Sequence, residues 1–160
     1  MITCVGRAAA TEVYKGQAYG KDNIEIDGGG YNDEFKDNWA LFGGVRFDRD
    51  TLFYGAELDY SSSSGPYFVN DGDTWRLRGL IGTSLGDVDV FGAVGVGQFD
   101  AGMTTIHGSG GADILTYGVG AEYEVADGVR LRGEWLRDEW EHATWDFERT
   151  TFRIGILKEF

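Results

Sequence analysis

The fold class expected from the sequence is all-β: an eight-stranded, antiparallel, up-and-down transmembrane barrel. Three features predict it. Apolar residues recur at every second position, and no stretch sustains the 3.6-residue period of a helix. The connections between alternating segments are by turns short and long, with segments of about ten residues between them. One of the two faces defined by the alternation is charged and balanced, while the other is apolar with its aromatic residues sorted to the strand ends.

Length and composition restrict the rest. The 160 residues suffice for one domain with a complete interior. A net charge of -13 repels phosphates, so nucleic acid is excluded as a partner. No run of 18 apolar residues exists, which excludes a membrane-spanning helix but not a barrel, where only alternate residues need be apolar. The 26 glycines accompany a single proline, Pro66, so the chain is neither collagen-like nor a proline-rich low-complexity segment. One cysteine, Cys4, rules out an internal disulfide framework. Residues 1–10, MITCVGRAAA, end in Ala8-Ala9-Ala10 and read as the remnant of an export signal or as an ordinary N-terminal stretch. The barrel domain is expected over residues 11–160.

In chain order, TEVYKGQAYG supplies the first strand and KDNIEIDGGGYNDEFKD reads as a loop. NWALFGGVRFD and LFYGAELDYSSSS flank a short turn, and a polar stretch follows. DTWRLRGLIGTSL and VDVFGAVGVGQFDAG flank Gly86-Asp87; MTTIHGSGG is the next long loop. ADILTYGVGAEYEV and VRLRGEWLRDEW flank the three-residue turn ADG, and EHATWDFE leads into the terminal strand.

Two faces need labels. The charged face carries Arg46, Glu57, Asp59, Arg76, Arg78, Glu122, Glu124, Arg130, Arg132, Glu134, Arg153 and Glu159, six acids against six arginines. The whole chain has 27 acids against 14 bases, so a solvated face has no reason to be balanced. A confined face does, because an unpaired buried ion costs several kcal/mol, on the order of a few per charge. All its cations are arginine, the residue whose planar fork suits buried carboxylates. This face is therefore expected to line the lumen. Closing the ADG turn between Val125 and Val129 pairs Glu124 with Arg130 and Glu122 with Arg132. The Gly86-Asp87 turn puts Gly95 opposite Arg78 and Gly97 opposite Arg76. Pairing Tyr60 with Trp75 sets Asp59 against Arg76 and Glu57 against Arg78.

The other face is aliphatic between two aromatic groups. Trp39, Tyr60, Trp75, Tyr117 and Phe152 fall at the long-loop end; Phe47, Tyr54, Tyr123 and Phe160 fall at the short-turn end. Two girdles around an aliphatic band are the outer surface of a bilayer barrel, whereas the competing soluble barrel of lipocalin type would not sort its aromatics by depth. Arg137 and Lys158 break the pattern near strand ends, where long cations snorkel.

With these residues in view, the chain resembles the small outer-membrane barrels of the OmpA/OmpX type from Gram-negative bacteria, over nearly all its length from Thr11. LFGGVRFD and YGAELDY are in the idiom of that family. The ending FRIGILKEF is similar to its C-terminal assembly signal, with Phe160 last, Ile156, Ile154 and Phe152 at alternating positions and Gly155 facing inward. Lys158 stands where an aromatic or apolar residue is frequent. The resemblance implies an outer-membrane location, outer-membrane lipid and lipopolysaccharide as surroundings, the barrel-insertion machinery as a partner during assembly, and a monomer.

Chemistry is sparse. His107-Gly108-Ser109 contains the residue types of a lipid A deacylase, but in a glycine-rich loop rather than on a late strand, which favours a plain loop. His142 with Asp146 and Glu148 has no metal-ligand spacing. The acids Asp22, Glu25, Asp27, Asp33, Glu34, Asp37, Asp71 and Asp73 lack an EF-hand pattern and read as solvated loops. Tyr31, Phe35, Tyr67, Phe68 and Trp145 are candidates for adhesive contact. No cofactor is expected. The function expected is a structural, surface-interaction or adhesion role with a charge-filled, non-conducting lumen; the alternatives are a narrow porin-like channel and, third, a lipid A-modifying enzyme.

Overall fold

The computed structural model describes residues 10–26, 32–63, 72–101, 111–142 and 145–160. They form a closed antiparallel barrel of eight strands in chain order, β1 (Ala10–Ile26), β2 (Asn32–Arg49), β3 (Leu52–Ser63), β4 (Gly72–Leu85), β5 (Val88–Ala101), β6 (Gly111–Ala126), β7 (Val129–His142) and β8 (Trp145–Glu159). β8 closes onto β1, so no strand edge is left unpaired. In a bilayer this matters doubly, since hydrocarbon offers no partner to a free N–H or C=O.

Strand length departs from expectation. The strands run from 12 to 18 residues rather than about ten. Much of KDNIEIDGGGYNDEFKD, expected as loop, is strand: β1 continues to Ile26 and β2 begins at Asn32. The reason is physical. Above the membrane both faces of a strand are polar, so the hydrophobic period-2 signal vanishes although the hydrogen-bond ladder continues, with Lys21 opposite Asp37 and Ile24 opposite Asp33.

The registers within the barrel follow the side-chain logic. Tyr60 pairs with Trp75, Asp59 with Arg76 and Glu57 with Arg78. Gly95 and Gly97 lie opposite Arg78 and Arg76. Glu122 and Glu124 lie opposite Arg132 and Arg130, but the closure between them differs from the three-residue ADG loop. Ala126 pairs with Val129, the turn is Asp127-Gly128, and a bulge at Val125 takes up the extra residue. Gly128 holds φ 66° there, a conformation for which glycine has no Cβ penalty.

Outside, Ile81, Val94, Val96 and Ile154 are each 60 % exposed or more, with no protein over them. Inside, the barrel is narrow. A Cβ on Gly97 would collide with the carbonyl oxygen of Trp75, and one on Gly95 with that of Leu77. Both are backbone atoms of the neighbouring strand, which cannot swing aside as a side chain can. Gly97→Val is therefore expected to abolish the compact, heat-modifiable gel form, whereas Gly92→Ala, whose added atom meets nothing closer than 3.9 Å, preserves it. Nitroxides at Ile81 and Val94 should be reached by dissolved oxygen and shielded from a water-soluble nickel chelate; the opposite preference would place this face in water.

Candidate functional site

The lumen is built from one ladder of ion pairs. At the turn end, Arg46 on β2 bridges Asp48 (2.8 Å), Asp89 (2.7 Å) and Glu122 (3.4 Å). Arg130 on β7 meets Asp89, Glu122 (3.7 Å) and Glu159 (2.6 Å). Above them Arg132 links Glu122 (2.6 Å) to Glu57 (2.5 Å), and Arg78 links Glu57 to Glu134 (2.6 Å). Arg153 joins Glu134 (2.7 Å) to Asp59 (2.6 Å), Arg76 joins Asp59 (2.6 Å) to Asp138 (2.7 Å), and Arg149 closes on Asp138 (2.6 Å). Six of the seven arginines thus bridge two or more carboxylates, and the path is unbroken from Asp48 to Arg149.

The local sequence explains the placement. Alternation sends Arg76 and Arg78 on β4, Arg130, Arg132, Glu134 and Asp138 on β7, and Arg149 and Arg153 on β8 to the same side of the wall. Tilted strands then bring non-neighbouring strands within reach across a narrow bore, as in the contacts of Arg78 (β4) with Glu134 (β7) and of Arg46 (β2) with Asp89 (β5). Glu57 draws its donors from three different strands. It takes the Tyr14 hydroxyl (2.8 Å) as well as Arg78 and Arg132.

Rings fill the space the ions leave. Tyr14, Ala18, Ala40, Phe42 and Leu157 form one apolar cluster and Phe53, Leu80, Phe91 and Ala93 another. The Arg132 guanidinium lies 4.6 Å from the Phe42 centroid and 5.0 Å from that of Phe91; Arg46 lies 3.7 Å from Phe53. Such stacking adds attraction in a desolvated site. A cavity of about 10 Å³ among Tyr14, Arg46, Glu122, Arg132 and Glu159 has room for roughly one water. At the loop end Asp22 accepts from Asn38 (2.9 Å), Ser63 (2.5 Å) and Thr151 (2.6 Å). Opposite it, Phe99, Trp140 and Phe147 stack at 5.4 Å spacings, with Arg149 5.2 Å from the Phe99 ring.

Of the twelve lumen residues named from sequence, eleven lie in this ladder. Glu124 does not: it is exposed at the turn-end rim, because its register partner Arg130 turns to Asp89, Glu122 and Glu159 instead. Sequence reasoning missed Asp48, Asp89, Asp138 and Arg149. Each stands an even number of positions from a named lumen residue or between two outward valines, so the alternation itself contained the signal. Lys36 also turns inward, as a buried residue of β2, where a loop was expected.

The aromatic residues form two levels. Trp39, Tyr60 and Trp75 make a run of ring contacts (5.6 and 4.7 Å), and Tyr117 meets Trp135 at 6.4 Å. Tyr19 and Trp135 belong to the same level; from sequence Trp135 is placed only on the outward face, and Tyr19 in no girdle. Tyr60 and Tyr117 are half-buried between their neighbours, and Tyr117 donates to Glu139 (2.5 Å). At the turn end Phe47 stacks on Tyr54 (5.4 Å), with Tyr123 and Phe160 exposed at the same level. Phe152, Ile154, Ile156 and Phe160 all face outward and Gly155 inward. Arg137 pairs with Glu148 and Glu139 on the outer wall, and Lys158 donates to the Asp127 carbonyl (3.1 Å).

Most of the other candidates fall outside the described residues. His107, Ser109, Tyr31, Tyr67, Phe68, Asp27 and Asp71 lie outside the described residues, as do residues 1–9. Phe35, His142 and Trp145 lie in strands, but their side chains also fall outside the described set, as do those of Asp33 and Glu34. Among the described residues no group of three His, Cys, Asp or Glu side chains is placed to hold a metal. The ladder makes one energetic prediction. Glu134→Ala removes a shared partner of Arg78 and Arg153 and should lower the unfolding free energy in urea by about 3–5 kcal/mol. Asp37→Ala, which breaks the exposed pair with Lys21 (3.4 Å), should leave the urea midpoint where it is.

Comparison with known proteins places the architecture. No curated protein matches the chain. Among solved structures it is similar to Ail, the attachment invasion locus protein of Yersinia pestis (TM-score 0.69, 14% identity, 93% of this chain and 98% of that one). Similar too are Neisserial surface protein A (TM-score 0.64, 10% identity, 96% and 100%) and the N-terminal barrel of Pseudomonas aeruginosa OprF (TM-score 0.64, 12% identity, 96% and 100%). The outer membrane enzyme PagL shares the fold more distantly (TM-score 0.52, 12% identity, 86% and 97%). At these identities the likeness is one of fold. The family model for the outer membrane protein beta-barrel domain, however, matches residues 1–160. The chain therefore belongs to the outer membrane protein beta-barrel domain family, and its place is the outer membrane of a Gram-negative bacterium.

Proposed function

We propose that this protein is a sealed outer-membrane barrel whose work is done at its loop end, as a structural and surface-contact protein rather than as a pore or an enzyme. The observation that carries this reading is the continuous ladder from Asp48 to Arg149, in which Arg76, Arg78, Asp59 and Glu57 are at most 1 % exposed. An ion entering the bore would have to displace an arginine from two carboxylates at once, which costs several kcal/mol, on the order of 3–5 for each broken pair.

Several features support the loop end as the working part. Wall strands continue beyond the upper girdle, with Asp37, Asp73, Asp100 and Asp113 outward and the Phe99, Trp140 and Phe147 stack inward. An extension of this kind carries the outer end of the wall clear of the bilayer, in reach of a partner. Lipid and lipopolysaccharide are the surroundings this reading implies. During assembly the outward row Phe152, Ile154, Ile156 and Phe160 would be read by the insertion machinery, and the folded protein would be a monomer.

Planar-bilayer recording of the purified protein tests the seal. The expected result is no steady conductance above that of the bare membrane. A large, stable conductance would overturn the sealed reading and favour a channel. Incubation with lipopolysaccharide should release no fatty acid; acyl release would instead make it an enzyme.

A further inference from the structure

On the outer wall the apolar pattern fails at the loop end, where Arg137 is answered by Glu148 and Glu139, and again at the turn end, where the cations have no such answer. β1 presents Val13, Lys15, Gln17 and Tyr19 to the lipid, and β8 presents Phe160, Lys158, Ile156 and Ile154 beside them. Lys15 and Lys158 are direct cross-strand partners, both exposed. Like charges placed opposite each other are destabilising, and hydrocarbon makes the juxtaposition worse. Among the described residues no carboxylate lies within ion-pair distance of either ammonium. Lys15 Nζ lies 4.8 Å from the Phe160 ring centroid, and Lys158 Nζ donates to the Asp127 carbonyl. Phe160 belongs to the lower girdle and Asp127 to a turn, so both cations sit near the interface of the turn-side leaflet.

We infer that the β1–β8 seam binds the phosphate of an anionic glycerophospholipid from that leaflet, held between Lys15 and Lys158. A phosphodiester is the group that neutralises two adjacent ammoniums at this depth. The wall above them is shaped for the rest of such a molecule. A groove continuous with both lysines is lined by Gly16, Leu41, Val129, Ile156 and Leu157. Gly43, opposite Lys15 on the other side, has no side chain to fill it. An apolar groove rising from a cationic pair fits an acyl chain running from its headgroup toward the bilayer centre, and free phosphate would leave it empty. A second copy docked across a two-fold axis at this seam would bring four ammoniums together, so the charge argues against a dimer there.

The full-length protein refolded into phosphatidylcholine vesicles containing a minority of phosphatidylglycerol, then extracted and weighed by native mass spectrometry, provides the test. Wild-type protein should retain one phosphatidylglycerol in preference to phosphatidylcholine. Each lysine near a membrane surface contributes about fivefold to attraction of an anionic lipid, so Lys15→Gln with Lys158→Gln should lower retention about 25-fold. Lys21→Gln, a lysine above the upper girdle, should leave it unchanged, and Lys15→Arg with Lys158→Arg should restore it. The side chains face outward, so the double variant should keep its heat-modifiable gel shift. Equal retention by the double variant, or equal retention of phosphatidylcholine, would overturn the inference. So would displacement of the lipid by inorganic phosphate at equal concentration, or a dimer that the double glutamine variant abolishes.

Discussion

Confinement is the condition on which the rest of this structure depends. An eight-stranded barrel encloses a bore filled by its own side chains, with space for about one water at the turn end. Charges placed there cannot be hydrated, so each must be met by an opposite charge at hydrogen-bond distance. That requirement explains the near-balance of seven arginines and eight carboxylates in a chain whose overall charge is -13. It also explains the glycines at 95 and 97. The guanidinium groups of Arg76 and Arg78 occupy the lumen beside a strand that must contribute no bulk, and the backbone approach leaves no space for even a methyl group.

How far the sequence could be read follows from the same physics. Between the girdles the wall separates two unlike surroundings, hydrocarbon and a lumen of ions, so side-chain type alternates strictly and reports strand, register and face together. Leu77 against Arg76 and Arg78, or Val94 against Gly95, left no ambiguity. Above the upper girdle both surroundings are polar. Asp22 is buried in the lumen and Asp37 is exposed on the outer wall, yet both are aspartates in a stretch that reads as loop. The period is still present in the backbone, but the chemistry no longer displays it. Glu124 was misplaced for a related reason: alternation says which way a side chain points, not which of several carboxylates its cross-strand arginine will choose. Asp138 and Arg149 are legible by parity, but Arg137 beside Asp138 breaks the apolar row on the opposite face, and Arg149 adjoins EHATWDFE, which reads as a connection.

The ladder also shapes how the molecule behaves as a unit. Its partners are drawn from β2, β3, β4, β5, β6, β7 and β8, and Tyr14 of β1 joins through Glu57. Few of these bonds are redundant. Burying ion pairs is weak as a source of net stability, since desolvation offsets most of the attraction, but breaking one partner leaves a stranded charge at full cost. The interior therefore acts more to specify one closed register than to add stability. A slip by one residue would turn the arginines of the ladder to the lipid and the outward valines to the lumen.

The two cationic residue types divide between the ladder and the lower girdle, with Lys36 inside and Arg137 outside lying beyond both at the loop end. In the lumen every cation of the ladder is arginine, whose planar fork engages two carboxylates simultaneously, as Arg76 does with Asp59 and Asp138. On the lipid side, within the reach of the lower girdle, the cations are Lys15 and Lys158, each a compact charge on a flexible stem that reaches the interface while its methylenes stay in hydrocarbon. Arginine serves where the partner is fixed by the protein itself and must be met from a set direction. Lysine serves where the partner is outside the protein and is brought by the membrane. A wall only one strand thick thus keeps two separate electrostatic systems, one closed on itself and one open to lipid.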